Sequence, residues 1–323
     1  MRKGCFFKII IAVIFMILMM TQVYAASADI SGLLYANYTN PLDGKGLKSF
    51  NLTRLYLTYK STLENNYKLR VTTDTFRDSA TGRLELFAKY AYLEKEVLPN
   101  TRIKAGLIDL PWLAYEEWIW GYKMQSGVLA DREGYLTSAD LGIGVYGKAP
   151  TKQIEYALTY TNGEGYNNAE NNGLQSFDCR VTFNPLAPIF ISGFMSRGYY
   201  NALDQIKNRN IFHVALKTDK LTIAGEYLGT TDISGAGSTE VQGQGYSFYA
   251  TAKPMEKWLF VARFDYIDPN QNIANDDHSR YIVGLGYELA KGILLLFDNE
   301  QTKYAPGAGT DTNTAYAHLQ AEF

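Results

Sequence analysis

Cysteine is almost missing from this chain: two in 323 residues, Cys5 and Cys179. Cys5 precedes an N-terminal apolar run, so Cys179 would stand alone once that run is removed. This excludes an intrachain disulfide and a thiolate metal cluster. Cys179 keeps step with apolar neighbours in Phe177-Asp178-Cys179-Arg180-Val181, which predicts a bilayer-facing or packed thiol. Histidine is equally sparse. His213, His278 and His318 lie far apart, without H-E-x-x-H or i, i+4 spacing, so they read as lumen or loop residues, and no metal or cofactor is expected. Basic excess is absent too: the formal charge is −2, and losing Arg2, Lys3 and Lys8 with residues 1–25 takes it to −5. No polybasic footprint remains, and nucleic acid is not an expected partner. Beyond the N-terminus no run of 18 apolar residues occurs, which excludes a helical membrane protein.

The N-terminus itself reads as an export signal. Arg2, Lys3 and Lys8 flank an apolar run from Ile9 to Met20, too short to span comfortably. Val23-Tyr24-Ala25 and Ala26-Ser27-Ala28 both fit a signal-peptidase site, so cleavage follows Ala25 or Ala28. The expected organisation is a signal over 1–25 and one domain over 26–323.

Aromatics and two-residue alternation are abundant. Tyr and Phe number 25 and 16 against nine prolines. Period-2 segments bounded by turn residues fall near 29–39, 49–61, 66–76, 83–94, 101–109, 140–149, 153–162 and 174–184. Eight more fall near 189–199, 208–218, 221–231, 244–253, 257–267, 279–289, 292–303 and 312–323. Connections after even-numbered strands are short, such as Asp219-Lys220 and Ala290-Lys291. Those after odd-numbered strands are generally longer, such as Gly163–Gly173. An even strand count with alternating turn lengths predicts an all-β, 16-stranded antiparallel transmembrane β-barrel. The faces separate accordingly. Tyr67, Leu69 and Val71 alternate with Lys68, Arg70 and Thr72, and Phe260, Ala262, Phe264 and Tyr266 with Val261, Arg263, Asp265 and Ile267. A charge facing lipid at mid-bilayer costs roughly 2–4 kcal/mol, so the polar set should line an interior. Sixteen strands leave room for water, whereas eight would be filled by side chains.

One connection is exceptional. Asp109 to Asp140 runs for about 30 residues, far beyond usual loop lengths. It carries Trp112, Trp118 and Trp120, with Tyr115, Tyr122, Glu116, Glu117, Asp131 and Glu133. So much aromatic area would normally be buried, which predicts a third external loop folded inward. Across the opening, strands two to five place Arg54, Lys68, Arg70, Lys89, Arg102 and Lys104 on the inward set, interrupted by Asp74 and Glu85. Adjacent strands sit about 4.8 Å apart, so these side chains could form one basic wall favouring small anions.

A long third loop in a sixteen-strand barrel resembles the constriction loop of Gram-negative trimeric porins, and Phe323 ending an alternating strand resembles the C-terminal signature of outer-membrane barrels. Ser49–Leu55, Ile103–Pro111, Asp140–Val145 and Tyr156–Gly163 are similar to segments of the phosphate-selective porin O and P family. The resemblance implies a non-enzymatic, homotrimeric outer-membrane channel passing small hydrophilic solutes. It further implies contact with outer-membrane lipid, lipopolysaccharide and the barrel assembly machinery. The chain departs from the phosphate-selective pattern in its loop, where Lys123 and Arg132 are the only basic residues.

Other motifs carry less. Gly142-Ile143-Gly144-Val145-Tyr146-Gly147 matches G-x-G-x-x-G, but the turn Lys148-Ala149-Pro150 follows where a dinucleotide site needs a helix. Gly142 and Gly144 are expected to leave space beneath the inward loop. Asn270–Asp277 could offer oxygens to Ca²⁺ but lacks EF-hand spacing. No G-x-S-x-G elbow occurs, and a barrel hydrolase would need a strand-borne serine beside His213 or His318. The alternative role is a sleeve for a partner such as a multihaem cytochrome conduit, which would favour a wide bore without an inward loop.

Overall fold

The computed structural model describes residues 27–77, 81–200, 202, 205–235 and 237–323; the expected export signal over 1–25 lies outside them. Sixteen strands form: β1 Ser27–Pro41, β2 Ser49–Thr62, β3 Lys68–Arg77, β4 Leu84–Leu98, β5 Thr101–Asp109, β6 Ala139–Lys148, β7 Ile154–Thr161 and β8 Ser176–Phe183. The second half comprises β9 Ile189–Tyr199, β10 Ile206–Lys217, β11 Leu221–Asp232, β12 Val241–Met255, β13 Trp258–Asp268, β14 His278–Ala290, β15 Ile293–Tyr304 and β16 Thr312–Glu322. Each pairs antiparallel with its sequence neighbours, and β1 pairs with β16, so the sheet closes on itself. Closure leaves no open edge, the condition for crossing a bilayer with strands. The last residue takes part: Gly32 and Phe323 exchange backbone N–H···O bonds of 2.8 and 3.1 Å.

The pleat sorts side chains as the alternation predicts. Along β13 and β14, Phe260, Tyr281, Val283 and Leu285 are exposed on the outside, whereas Val261, Arg263, Asp265 and Ile282 are buried within. Cys179 keeps parity with the exposed Phe177 and Val181, on the outer face. Bulges break the ladder in strands of the basic wall. Thr53 is the extra residue of β2 between Leu52 and Arg54, and Lys89 that of β4 between Ala88 and Tyr90. A bulge re-aims side chains; the second brings both Lys89 and Tyr90 to the lumen, where each is buried.

The lumen is not uniformly polar. Inward positions on β11, β13, β14 and β15 include Leu228, Leu259, Val261, Ile267, Ile282 and Leu296, all buried. Such residues would be out of place in a purely aqueous bore, and the long third loop covers most of them.

Candidate functional site

Between β5 and β6 the chain enters the barrel and forms two helices, α1 Leu113–Trp120 and α2 Leu129–Arg132. α1 is apolar around most of its circumference, as a helix buried on several sides must be. It ends at Gly121, whose left-handed φ of 81° lets its N–H reach back to Glu117 O at 2.8 Å. Trp112, Leu113, Ile119 and Trp120 pack with Val128, Leu129 and Ala130 against Phe194, Leu228, Tyr249, Leu259, Val261, Ile267 and Leu296. Trp120 meets Tyr249 edge-on at 5.2 Å between centroids, and Trp112 packs on Phe194 at 5.4 Å. The loop and half of the inner wall therefore make one dry core.

Polar contacts fix its register. Arg180 Nε donates to Pro111 O at 2.9 Å, Lys217 Nζ to Ile119 O at 3.1 Å, and Arg263 Nη1 to Gly127 O at 2.8 Å. Arg132 holds Glu300 with two bonds of 2.8 and 2.6 Å, and Arg280 Nη2 holds Glu133 Oε1 at 2.9 Å. Burial alone would raise the Glu133 carboxyl. The His278 hydrogen bond and the Arg280 charge outweigh it and hold the group near 2. Lys217 lies beside the turn 218–220 and His278 opens β14 at the opposite end, so the loop runs the height of the lumen.

The opposite wall stays open. Its cleft of about 520 Å³ is lined by Lys60, Lys68, Arg70, Tyr92, Glu94, Arg102, Lys104, Asp109 and Asp29. Arg54, Lys68, Arg70, Lys89, Arg102 and Lys104 thus share one face of the lumen, but not as bare charges. Asp74 lies 3.7 Å from Arg54 and 3.9 Å from Lys89. Lys104 pairs with Asp109 at 2.5 Å, and Arg102 with Glu94 at 3.4 Å. Tyrosines sheathe the rest. The Lys89 ammonium sits 5.2, 5.8 and 5.1 Å from the Tyr56, Tyr90 and Tyr166 ring centroids, and Lys104 lies over Tyr92 and Tyr146 at 4.8 and 4.3 Å. Lys89 is 1% exposed and Lys104 4%, so a solute there meets mostly tyrosine. Lys60, Lys68 and Arg70 have no carboxylate within salt-bridge distance among the described residues; in the register Lys60 stands between Asp29 of β1 and Arg70 of β3, and Lys68 opposite Glu94 of β4. The wall keeps a positive surplus towards the short-turn end.

The loop's acidic residues divide. Glu117 faces the basic wall: it pairs with Lys123 and its field reaches Arg54. Asp131 sits by Gly127 and acts on Lys123, whose ammonium burial pulls down. Glu116 and Glu133 point away from the opening, into the docked side. Trp118 is half exposed over Phe190 at 5.4 Å, with Lys217 5.4 Å from its ring. Gly142 and Gly144 lie beneath other neighbours than expected. A Cβ at Gly144 would strike the Tyr146 ring at 2.7 Å, and one at Gly142 would strike the backbone of β7. Tyr146 uses the space at Gly144 to donate its hydroxyl proton to Asp109 O at the root of the loop. Glu85 is exposed.

Sequence reasoning placed Arg263 on the inward set without a partner and missed Lys60, Glu226, Arg280 and Glu300, although each is a charge at an inward position of an alternating strand. His213 hydrogen-bonds Tyr249 at 3.0 Å, and His318 pairs with Asp298 at 2.8 Å; among the described residues no serine hydroxyl is hydrogen-bonded to either ring.

No family model matches the chain, and no curated protein matches it in sequence. Its architecture does have solved counterparts. The anion-selective porin from Comamonas acidovorans superposes with a TM-score of 0.68 at 13% identity, over 92% of this chain and 99% of that one. Salmonella typhi OmpF, in complex with daunomycin, gives 0.71 at 11%, over 92% and 97%. Vibrio cholerae OmpT, an outer-membrane protein, gives 0.65 at 12%, over 92% and 97%. The fold is that of a porin. At such identities the likeness extends to architecture alone.

Proposed function

We propose that this chain is an outer-membrane porin of a Gram-negative bacterium, a water-filled channel through which small hydrophilic solutes diffuse passively with a weak preference for anions. One observation carries the proposal. The third loop docks on one half of the inner wall and leaves an open cleft along the other, inside a closed barrel whose outside is apolar. Such a loop narrows a bore without plugging it. The anion preference rests on the surplus cations Lys60, Lys68 and Arg70; pairing and tyrosine sheathing of Arg54, Lys89, Arg102 and Lys104 keep it weak. Phosphate selectivity finds no such support, because Lys123 is held by Glu117 and Arg132 by Glu300. No catalytic step is assigned.

By analogy with the fold, the working form is a homotrimer delivered by the barrel assembly machinery into lipopolysaccharide-bearing membrane. The sleeve role loses ground, since the loop occupies the space that a threaded partner would need. Planar-bilayer recording of the purified protein in a salt gradient tests the proposal. Stepwise insertions with a reversal potential modestly favouring Cl⁻ are expected; cation preference would remove the role of the basic wall, and absence of conductance the channel itself.

A further inference from the structure

Behind α1, on the docked side, two carboxyl groups meet. Glu116 is fully buried, and its Oε2 accepts from Trp112 Nε1 at 2.9 Å. Its Oε1 finds no donor among the described residues, nor does either oxygen of the buried Glu226 on β11. The two groups lie within hydrogen-bonding reach of each other. Around them stand His213 of β10, Tyr249 of β12, Arg263 and Asp265 of β13, and Tyr115 of α1, which bonds Ser192 of β9 at 2.6 Å.

The charges nearby are already spoken for. Arg263 holds Asp265 at 2.8 Å, Arg280 bridges Asp265 and Glu133, and Arg132 holds Glu300. Three guanidinium groups face three carboxylates, and Glu116 with Glu226 is left over. Two carboxylates in contact in a dry site cannot both ionise without strong repulsion, and a proton on one turns the contact into a hydrogen bond.

We propose that Glu116 and Glu226 share one proton across the interface between loop and wall, and that losing it loosens α1 from β11, so that alkaline conditions widen the bore. The proton is part of the docking contact rather than of any catalysis. Burial raises the Glu116 carboxyl and a second carboxyl lies against it, so the pair keeps its last proton through neutrality and the switch falls on the alkaline side. The consequence for the bore rests on the channel proposed above; the docking itself does not.

Two readouts separate the claims. Three of the four tryptophans, Trp112, Trp118 and Trp120, lie in the loop, so tryptophan emission of the refolded barrel reports docking without reference to conductance. As the pH rises from neutral into the alkaline range, wild type should show a reversible red shift and, in planar bilayers, a step up in single-channel conductance. Glu116→Gln and Glu226→Gln should each abolish both, since an amide donates to the remaining carboxylate without a shared proton. Tyr249→Phe should keep both. The two amide variants lie on different elements, so one suffices if the other fails to assemble. A wild type with no transition, a transition surviving both amide variants, or one lost with Tyr249→Phe would overturn the shared proton. Steady conductance with a flat pH profile sinks the switch alone, and a fluorescence transition without conductance sinks the channel alone.

Discussion

Trp120→Ala is the sharpest perturbation of the docked loop. The indole is fully buried, edge-on to Tyr249, with the Arg263 guanidinium 5.6 Å from its ring. Truncating a buried tryptophan costs roughly 3–5 kcal/mol from lost transfer and the cavity left behind. Here that cost falls on docking rather than on the barrel, whose closed ladder of strand pairs does not pass through the loop. At about 1.4 kcal/mol per tenfold, the docked population should fall relative to the undocked by about two to three and a half orders of magnitude. The polar contacts from Arg132, Arg180, Lys217 and Arg263 remain, so the loop is loosened rather than released. Native-state hydrogen exchange reads this directly. The amides of Glu116 and Gly121, bonded to Trp112 O and Glu117 O, should lose protection by about that factor, while those of β11 and β12 keep theirs. Protection of α1 within tenfold of wild type would refute the dry-core account. An equal loss in the barrel would show that loop and barrel open as one unit.

Arg132→Ala removes both bonds to Glu300 and leaves a mostly buried carboxylate with only the longer contacts to Arg280 at 3.8 Å and Gln125 at 3.5 Å, a loss of about 2–3 kcal/mol in docking. Arg132→Lys restores the charge without the fork and should recover only part of it, measured by proteolytic nicking of the loop. Acid should loosen the same end. The Glu133 carboxyl is held near 2 against an ordinary 4.5, so its contribution, at most roughly 3 kcal/mol, is present above about pH 4.5 and lost as pH falls towards 2. Tryptophan emission of Glu133→Gln should be flat across that window. Lys60→Glu with Lys68→Glu should move the reversal potential towards cation preference, and an unmoved potential would place selectivity elsewhere. Cys179, on the outer face, should react in membranes with a lipid-soluble maleimide and not with a membrane-impermeant one; the opposite pattern would put the thiol in water.

All sixteen strands were legible because lipid outside and water or loop inside impose opposite demands on successive residues, and the sequence carries that alternation. The loop was legible from its length and its tryptophans. Its docking partners were not. Leu228, Leu259, Ile267 and Leu296 sit at inward positions of strands whose outer residues are equally apolar, so alternation fades where the wall is dry on both sides. The fate of the wall's cations was also hidden. Inward parity places Lys89 and Lys104 in the lumen, but the bulge at Lys89 and the tyrosines of neighbouring strands bury both, and such neighbours meet only through pairing across the sheet. Glu116 and Glu117 are adjacent in sequence yet face different sides of α1, a division set by the helical turn of about 100° per residue.

That division organises the lumen. A helix lying along the inside of a barrel has one face against the wall and one towards the remaining space, so its two neighbouring glutamates meet different solvents. On the pore side Glu117 pairs with Lys123, and the pair adds a local dipole opposite Arg54. On the wall side Glu116 meets apolar rings, a second carboxyl and guanidinium groups committed elsewhere, where a full charge is costly. The basic wall is arranged the opposite way: Arg54, Lys89 and Lys104 are paired or sheathed, and the surplus of Lys60, Lys68 and Arg70 lies towards the short-turn end beside the paired Arg102. In the proposed channel an anion would therefore meet tyrosine rings and paired charges around Lys89 and Lys104, and the cations Lys60, Lys68 and Arg70, none of them in a salt bridge among the described residues, beyond them. Such an order favours passage over capture, because a bare cluster at the narrowest point would hold an anion rather than let it through.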